Sequence, residues 1–130
     1  MIVAGIGSRK GVATEDVLAA IDAALAAHGL TRGGLDRLAT APLKANEPAL
    51  HAARDALGIE LIVVEDAILA EVSDRTLTRS EASLEKTGTP SVSEASALAA
   101  AGSVSRLLGP RVVVGAVTCA IAISGESVLP

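Results

Sequence analysis

The chain has 130 residues, half of them hydrophobic, and its 11 Lys plus Arg against 15 Asp plus Glu leave a net charge of −4. That length suits one domain, which on general scaling buries about 65% of the surface its unfolded chain exposes. The acidic balance and the complete absence of Phe, Tyr and Trp argue against nucleic-acid binding, which needs a basic surface for phosphates and, for single strands, aromatic platforms for bases.

The first apolar run, residues 2–5, predicts a buried strand, and it leads directly into Gly5-Ile6-Gly7-Ser8-Arg9-Lys10-Gly11. Thr14, followed by Glu15 and Asp16, predicts a helix start with an acceptor at the cap and acids in the first turn. Val17, Leu18, Ile21, Ala24 and Leu25 form its apolar face, and Gly29 ends it. A short second strand is expected over 38–41, stopped by Pro42. A second helix is expected over 46–57, where Asn46 can cap, Pro48 is tolerated in the first turn and Gly58 closes. Residues 59–64 read as the clearest strand, a β-branched run of the kind covered on both faces of a sheet.

Beyond that run the pattern weakens. Ile68 and Leu69 suggest a brief helix, while 73–83 mixes small polar and charged residues and reads as a mobile surface excursion. Ser91-Val92-Ser93-Glu94 is a capping-box pattern opening a third helix that runs to residue 101, with Gly102 at its exit. Residues 111–124 are rich in Val, Ile and Ala, and Gly115 either bends one long strand or separates two short ones. The alternation of strand and helix patterns predicts an α/β sandwich with a largely parallel sheet and no internal repeat or domain linker. Cys119, the only cysteine, lies within the last apolar run; it reads as a buried structural thiol, and nothing indicates an oxidising compartment. No segment approaches the ~20 apolar residues of a membrane span, and no cationic leader precedes the first strand, so the cytoplasm is the expected location, with no membrane partner.

Chemistry-bearing candidates are few. Glycines 5, 7 and 11 with Arg9 and Lys10 stand where a buried strand emerges, the usual ligand position in open α/β proteins, and bare N–H groups plus cations suit a carboxylate or phosphate. The same residues also suit a plain strand-to-helix turn with solvated cations. Neither a Walker-A loop nor a dinucleotide fingerprint fits the glycine spacing. Pro42-Leu43-Lys44-Ala45-Asn46-Glu47-Pro48 places a cation and a carboxylate at a strand exit: Lys44 can meet a ligand carboxylate with Glu47 orienting it or acting as a general base, or both can serve the helix start alone. Free N–H groups around Ser91 and Glu94 offer a further ligand contact, and Thr118 interrupts an apolar strand. His28 and His51 have no partner at metal-like spacing, so no protein-built metal site and no cofactor are expected. No Ser–His–Asp or Cys–His arrangement stands out.

Taken together, Gly5-Ile6-Gly7-Ser8-Arg9-Lys10-Gly11, Leu43-Lys44-Ala45-Asn46-Glu47-Pro48-Ala49-Leu50, Gly88-Thr89-Pro90-Ser91-Val92-Ser93-Glu94-Ala95 and Val117-Thr118-Cys119-Ala120-Ile121-Ala122 occur in the order and rough spacing of the CobE/CbiG C-terminal-domain family of cobalamin biosynthesis. The chain resembles that family over nearly its whole length and, starting at the first motif, looks like its free-standing type. The resemblance implies a three-layer α/β/α sandwich with a mainly parallel or mixed sheet in a single domain, and a role in building the corrin ring. Ser8 stands where the family commonly has cysteine and Asn46 where it commonly has aspartate, so the resemblance carries no thiol-dependent or two-carboxylate mechanism to this chain. Larger family members open a lactone on a cobalt-precorrin with loss of acetaldehyde, and they resemble this chain only in their terminal domain.

Precorrins carry many acetate and propionate groups around a broad apolar ring, and a receptor for them needs fixed cations at the rim of an aliphatic cleft. The expected ligand contacts are therefore Gly5, Gly7, Ser8, Arg9, Lys10, Gly11, Lys44, Glu47, Ser91, Glu94 and Thr118, binding a precorrin-type tetrapyrrole to carry, shield or help process it. Two alternatives stand beside this reading. One is a hydrolase or lyase acting on a ring substituent, with Glu47 as general base and Lys44 stabilising negative charge. The other is an interaction subunit that binds other enzymes of the pathway, for which 73–83 offers a surface; an aliphatic patch also favours a homo-oligomer.

Overall fold

The computed structural model describes residues 1–80, 84–85 and 90–124. Strand β1 (Ile2–Ser8) is followed by helix α1 (Thr14–Ala26), β2 (Arg37–Thr40), α2 (Pro48–Leu57), β3 (Glu60–Val63) and the short α3 (Asp66–Glu71). Helix α4 (Val92–Ala101), β4 (Ser105–Leu107), β5 (Val112–Val114) and β6 (Val117–Ser124) complete the order. The strands form one mixed sheet, β3-β2-β1-β6-β4, with β5 also paired to β6. β1, β2 and β3 are mutually parallel, whereas β6 runs antiparallel to β1 along its whole length, from Ile2 opposite Ile123 to Ser8 opposite Val117.

The period-2 alternation of β1 divides the core into two layers. Ala4 and Ile6 pack with Val17, Ile21 and Leu25 of α1, Leu50 of α2 and Cys119 and Ile121 of β6; Val3 packs on the other face with Leu69 of α3, Ala95 and Leu98 of α4 and Ala122 of β6. Helices therefore cover both faces, the three-layer α/β/α arrangement.

Without aromatics the layers must approach closely, and α4 shows how. Every residue from Ser93 to Leu98 is buried, which an amphipathic surface helix would not allow. Gly5 makes that possible: a Cβ there would stand 1.9 Å from the Ser93 carbonyl oxygen and 2.7 Å from the Ala97 nitrogen.

Several local expectations are revised. The α1 ladder starts on the Ala13 carbonyl, which accepts from Asp16 and Val17, so Thr14 is the first helical residue and no side chain caps it. Glu47, not Asn46, occupies the cap position of α2, because Pro48, lacking an N–H, fits the first helical position. The expected second strand ends one residue earlier, at Thr40, and Pro42 opens a 3-10 turn over Pro42–Lys44. The run at 59–64 yields an edge strand, β3, whose one partner among the described strands is β2; it is half-exposed, with Val63 open to solvent, so its apolar character does not reflect burial on both faces. Gly115, at φ +59°, makes a tight turn between β5 and β6, resolving the choice left by 111–124 in favour of two strands. Within the excursion expected at 73–83, a 3-10 turn spans Ser73–Arg75 and the N–H groups of Leu77, Thr78 and Ser80 are hydrogen-bonded; residues 81–83 lie outside the described part.

Gly5→Ala must displace backbone rather than a flexible side-chain tip, and it is expected to cost about 3 kcal/mol, read as a lower urea midpoint at unchanged slope. Burial pushes the Cys119 thiol above its ordinary pKa. Its thiolate is thus suppressed in the folded chain, and Ellman's reagent is expected to label Cys119 only at the rate at which the core opens.

Candidate ligand-binding cleft

The sheet topology creates a divergence at the carboxyl end of β1. From β1 the chain passes through α1 and α2 on one face to β2 and β3, then crosses to α3 and α4 on the other face and returns through β4, β5 and β6 to the free edge of β1. Crevices of open α/β sheets form at such points. Here the crevice is a cleft of about 360 Å³. β1 lends Gly7, Ser8 and the following Arg9; the turn after β2 lends Leu43 and Lys44; the β5–β6 hairpin lends Val113 and Thr118; and Ser80, Val92 and Arg111 close the remaining side.

Backbone and side-chain bonds hold these groups in place. The Arg9 N–H donates to the Ala116 carbonyl at 3.1 Å, extending the β1–β6 ladder one step beyond Ser8. The Thr118 hydroxyl donates to the Gly7 carbonyl at 3.3 Å, and a Cβ on Gly7 would approach that hydroxyl to 2.7 Å. Beside them the Ser8 Oγ is buried and has no hydrogen-bond partner among the described residues. Across the cleft, the Lys44 turn is held by His51. Arg54 donates to His51 Nδ1 at 3.0 Å; a guanidinium only donates, so Nε2 carries the ring proton and donates to the Ala45 carbonyl at 2.5 Å. Glu47, buried, accepts from the Gly11 N–H at 3.1 Å and so ties the glycine-rich loop to the same turn.

The electrostatics are one-sided. Among the described residues, Arg9, Lys44 and Arg111 line the cleft and no carboxylate does, although the whole chain carries a net charge of −4. Leu43 and Val113 share that lining at 58% and 60% exposure, an apolar surface left open to solvent. Fixed cations around exposed aliphatic surface suit an anionic ligand with an apolar body.

Of the expected contacts, the cleft brings together Gly7, Ser8, Arg9, Lys44 and Thr118. Lys10 and Glu47 lie in an adjoining shallow depression with Asn46, sharing Leu43 and Lys44 with the cleft. Gly5 lies beneath α4, and Gly11 forms a turn at φ +78°. Ser91 caps α4 by accepting from the Glu94 N–H at 3.4 Å. The other half of the expected capping box does not form. The Glu94 carboxylate accepts instead from the Leu77 and Thr78 N–H groups at 2.9 and 2.8 Å, the Thr78 hydroxyl at 3.1 Å and the Arg111 N–H at 2.9 Å. Arg111 is the cleft cation that the linear pattern hid, because only the β5–β6 hairpin, which pairs Val113 with Thr118, brings it to the same cleft; recognising Gly115 as a hairpin turn is the signal that would have found it. Among the described residues no cluster of three or more His, Cys, Asp or Glu is placed to hold a metal, and no helix is long and apolar enough to cross a membrane.

Known proteins match this architecture over almost the whole chain. The family described as cobalamin synthesis G C-terminus matches residues 2–122. A Sinorhizobium protein named Protein CobE is 31% identical over 121 residues, covering 93% of this chain and 79% of its own. The crystal structure of CobE, described as a protein from the cobalamin (vitamin B12) biosynthetic pathway, superposes with a TM-score of 0.90 at 32% identity, covering 94% of this chain and 89% of that one. The cobalamin biosynthesis protein chiG of Agrobacterium tumefaciens is 51% identical, with a TM-score of 0.77 and coverage of 96% and 99%. A Sulfolobus solfataricus cobalamin biosynthesis protein G homologue shares the fold at 23% identity and a TM-score of 0.67, and the chain spans 36% of its length. With its mixed sheet, its two helical layers and its motifs in family order, the chain belongs to the cobalamin synthesis G C-terminal family.

Proposed function

We propose that the protein, whose role lies in cobalamin biosynthesis, binds a carboxylate-rich precorrin intermediate through the cleft at the end of β1 and carries, shields or helps process it. The observation that carries this reading is the charge of the lining: among the described residues it holds three cations and no carboxylate on an acidic protein, together with exposed Leu43 and Val113. Arg9, Lys44 and Arg111 meet ring carboxylates as charge-assisted hydrogen-bond donors, and the two aliphatic side chains meet the edge of the macrocycle. At about 360 Å³ the cleft lies at the low end of small-ligand sites, so the macrocycle docks by one edge. Lys10, in the adjoining depression, then meets carboxylates further along that edge. The orphan Ser8 hydroxyl gains its missing partner from the ligand.

A second reading, a hydrolase or lyase acting on a ring substituent, draws on Lys44 lining both the cleft and the depression that holds Glu47. One oxygen of Glu47 is engaged by Gly11, which orients the carboxylate, and the other, without a partner among the described residues, is left for proton transfer from a substituent lying in the depression.

Titration of the purified chain with a late precorrin, followed by the tetrapyrrole's visible absorbance, is expected to give micromolar or tighter binding that weakens as salt rises. Arg9→Ala, Lys44→Ala and Arg111→Ala are each expected to raise Kd by roughly tenfold. Unchanged affinity in all three variants overturns the site. Incubation with the ring-contracted intermediate separates the two readings: the binding reading expects its mass to persist, and a mass change that Glu47→Gln abolishes supports the enzyme instead.

A further inference from the structure

Glu94 is fully buried, and no ion pair involving it occurs among the described residues. An unpaired carboxylate in such a place is costly unless its lone pairs are filled, and here four donors fill them. The donors come from two segments far apart in sequence. Oε1 takes the Leu77 and Thr78 N–H groups and the Thr78 hydroxyl; Oε2 takes the N–H of Arg111. Glu94 itself belongs to the first turn of α4, where the helix dipole favours negative charge.

Each of the three joined segments supplies part of one side of the cleft: Ser80 follows Thr78, Val92 opens α4, and Arg111 carries the third cation. A second tie, the Ser80 N–H to the Pro90 carbonyl at 2.8 Å, reinforces the same junction. A capping box alone would turn the Glu94 carboxylate back toward the Ser91 N–H, and it does not do so here.

We infer that Glu94 is a positioning residue for the cleft: its carboxylate sets the place of Arg111 and of the Ser80 segment together, so that ligand affinity depends on a side chain that does not line the site. The inference rests on the precorrin-binding reading for its ligand and on hydrogen bonding alone for its coupling. Glu94→Gln keeps size and shape but replaces one acceptor oxygen with an N–H donor. Two donors then face each other at Leu77–Thr78 or at Arg111, whichever way the amide turns.

The test has two arms on the full chain. Amide hydrogen exchange on Glu94→Gln, without ligand, is expected to show protection lost at Leu77 and Thr78 or at Arg111, according to the side that the amide N–H faces, while Ala97 and Leu98 of α4 keep theirs. Protection that stays as in the wild type at all three amides overturns the coupling. In the second arm, Glu94→Gln is expected to raise the Kd for a late precorrin roughly tenfold, and by less than about threefold when Arg111 is already Ala, because the loss acts through that cation. An equal loss in both backgrounds, or none in either, shows a merely structural carboxylate and overturns the inference. Thr78→Val, which removes only the hydroxyl donor, gives the same readouts in milder form should Glu94→Gln not fold. Failure of the wild-type chain to bind the precorrin overturns the binding reading, and the exchange arm still decides the coupling.

Discussion

The pairing of β1 with β6 is the constraint on which the other parts depend. Seven residue pairs run from one end of the sheet to the other, and the Arg9–Ala116 bond continues them past the last strand residue. That ladder fixes Gly7 beside Thr118 and Ser8 opposite Val117, so the floor of the cleft is a property of the sheet. The alternation it enforces also sends Ala4 and Ile6 to one helical layer and Val3 to the other, which makes β1 the shared wall of both cores. A one-residue slip would exchange the two layers and drive side chains into the space that α4 occupies over Gly5.

On this rigid floor the walls are assembled from turns, and each turn is held by a polar group that does not line the cleft. His51, bridged to Arg54, fixes the carbonyl of Ala45 and with it the turn that bears Lys44. Glu47 joins that turn to Gly11, and Glu94 joins Arg111 to residues 77–78. The arrangement answers a specific difficulty. Three cations gathered on one small cleft repel each other, and loops that bear them would spread unless their backbones were held. The Glu47 and Glu94 carboxylates, bonded to backbone N–H groups, and the His51 ring, bonded to a backbone carbonyl, do this, and among the described residues none of them forms an ion pair with the three cations. Binding then gains from cations whose backbone positions are already set in the free protein.

Much of this was legible in the linear chain, for physical reasons that also explain what was not. The α/β class and the three longer helices followed from strong local signals, among them Pro48 at a helix start and Gly58 and Gly102 at helix ends, and the strand running into glycines marked the end of β1. The motif order identified the family. The burial of β3 was misjudged because a run of Leu, Ile and Val has the same composition at an edge as in the middle of a sheet, and only the strand order distinguishes them. Glu94 was recognised as part of a helix-start pattern, but its long-range partners at 77, 78 and 111 leave no periodic mark. Arg111 was passed over for the same reason, since a cation before an apolar strand gains meaning only when a hairpin folds it back. His51 looked isolated because its partners, Arg54 and the Ala45 carbonyl, belong to no recognised metal or catalytic spacing.

The central claim is that an anionic macrocycle docks across the end of β1 against Arg9, Lys44 and Arg111. Mapping amide chemical shifts of the isotope-labelled chain during titration with a late precorrin tests it most directly. The account predicts saturable shifts concentrated at Gly7, Ser8, Arg9, Lys44, Arg111 and Thr118, with the half-exposed edge strand β3 unaffected. Shifts confined to β3 and α3, with those six amides unmoved, would contradict it.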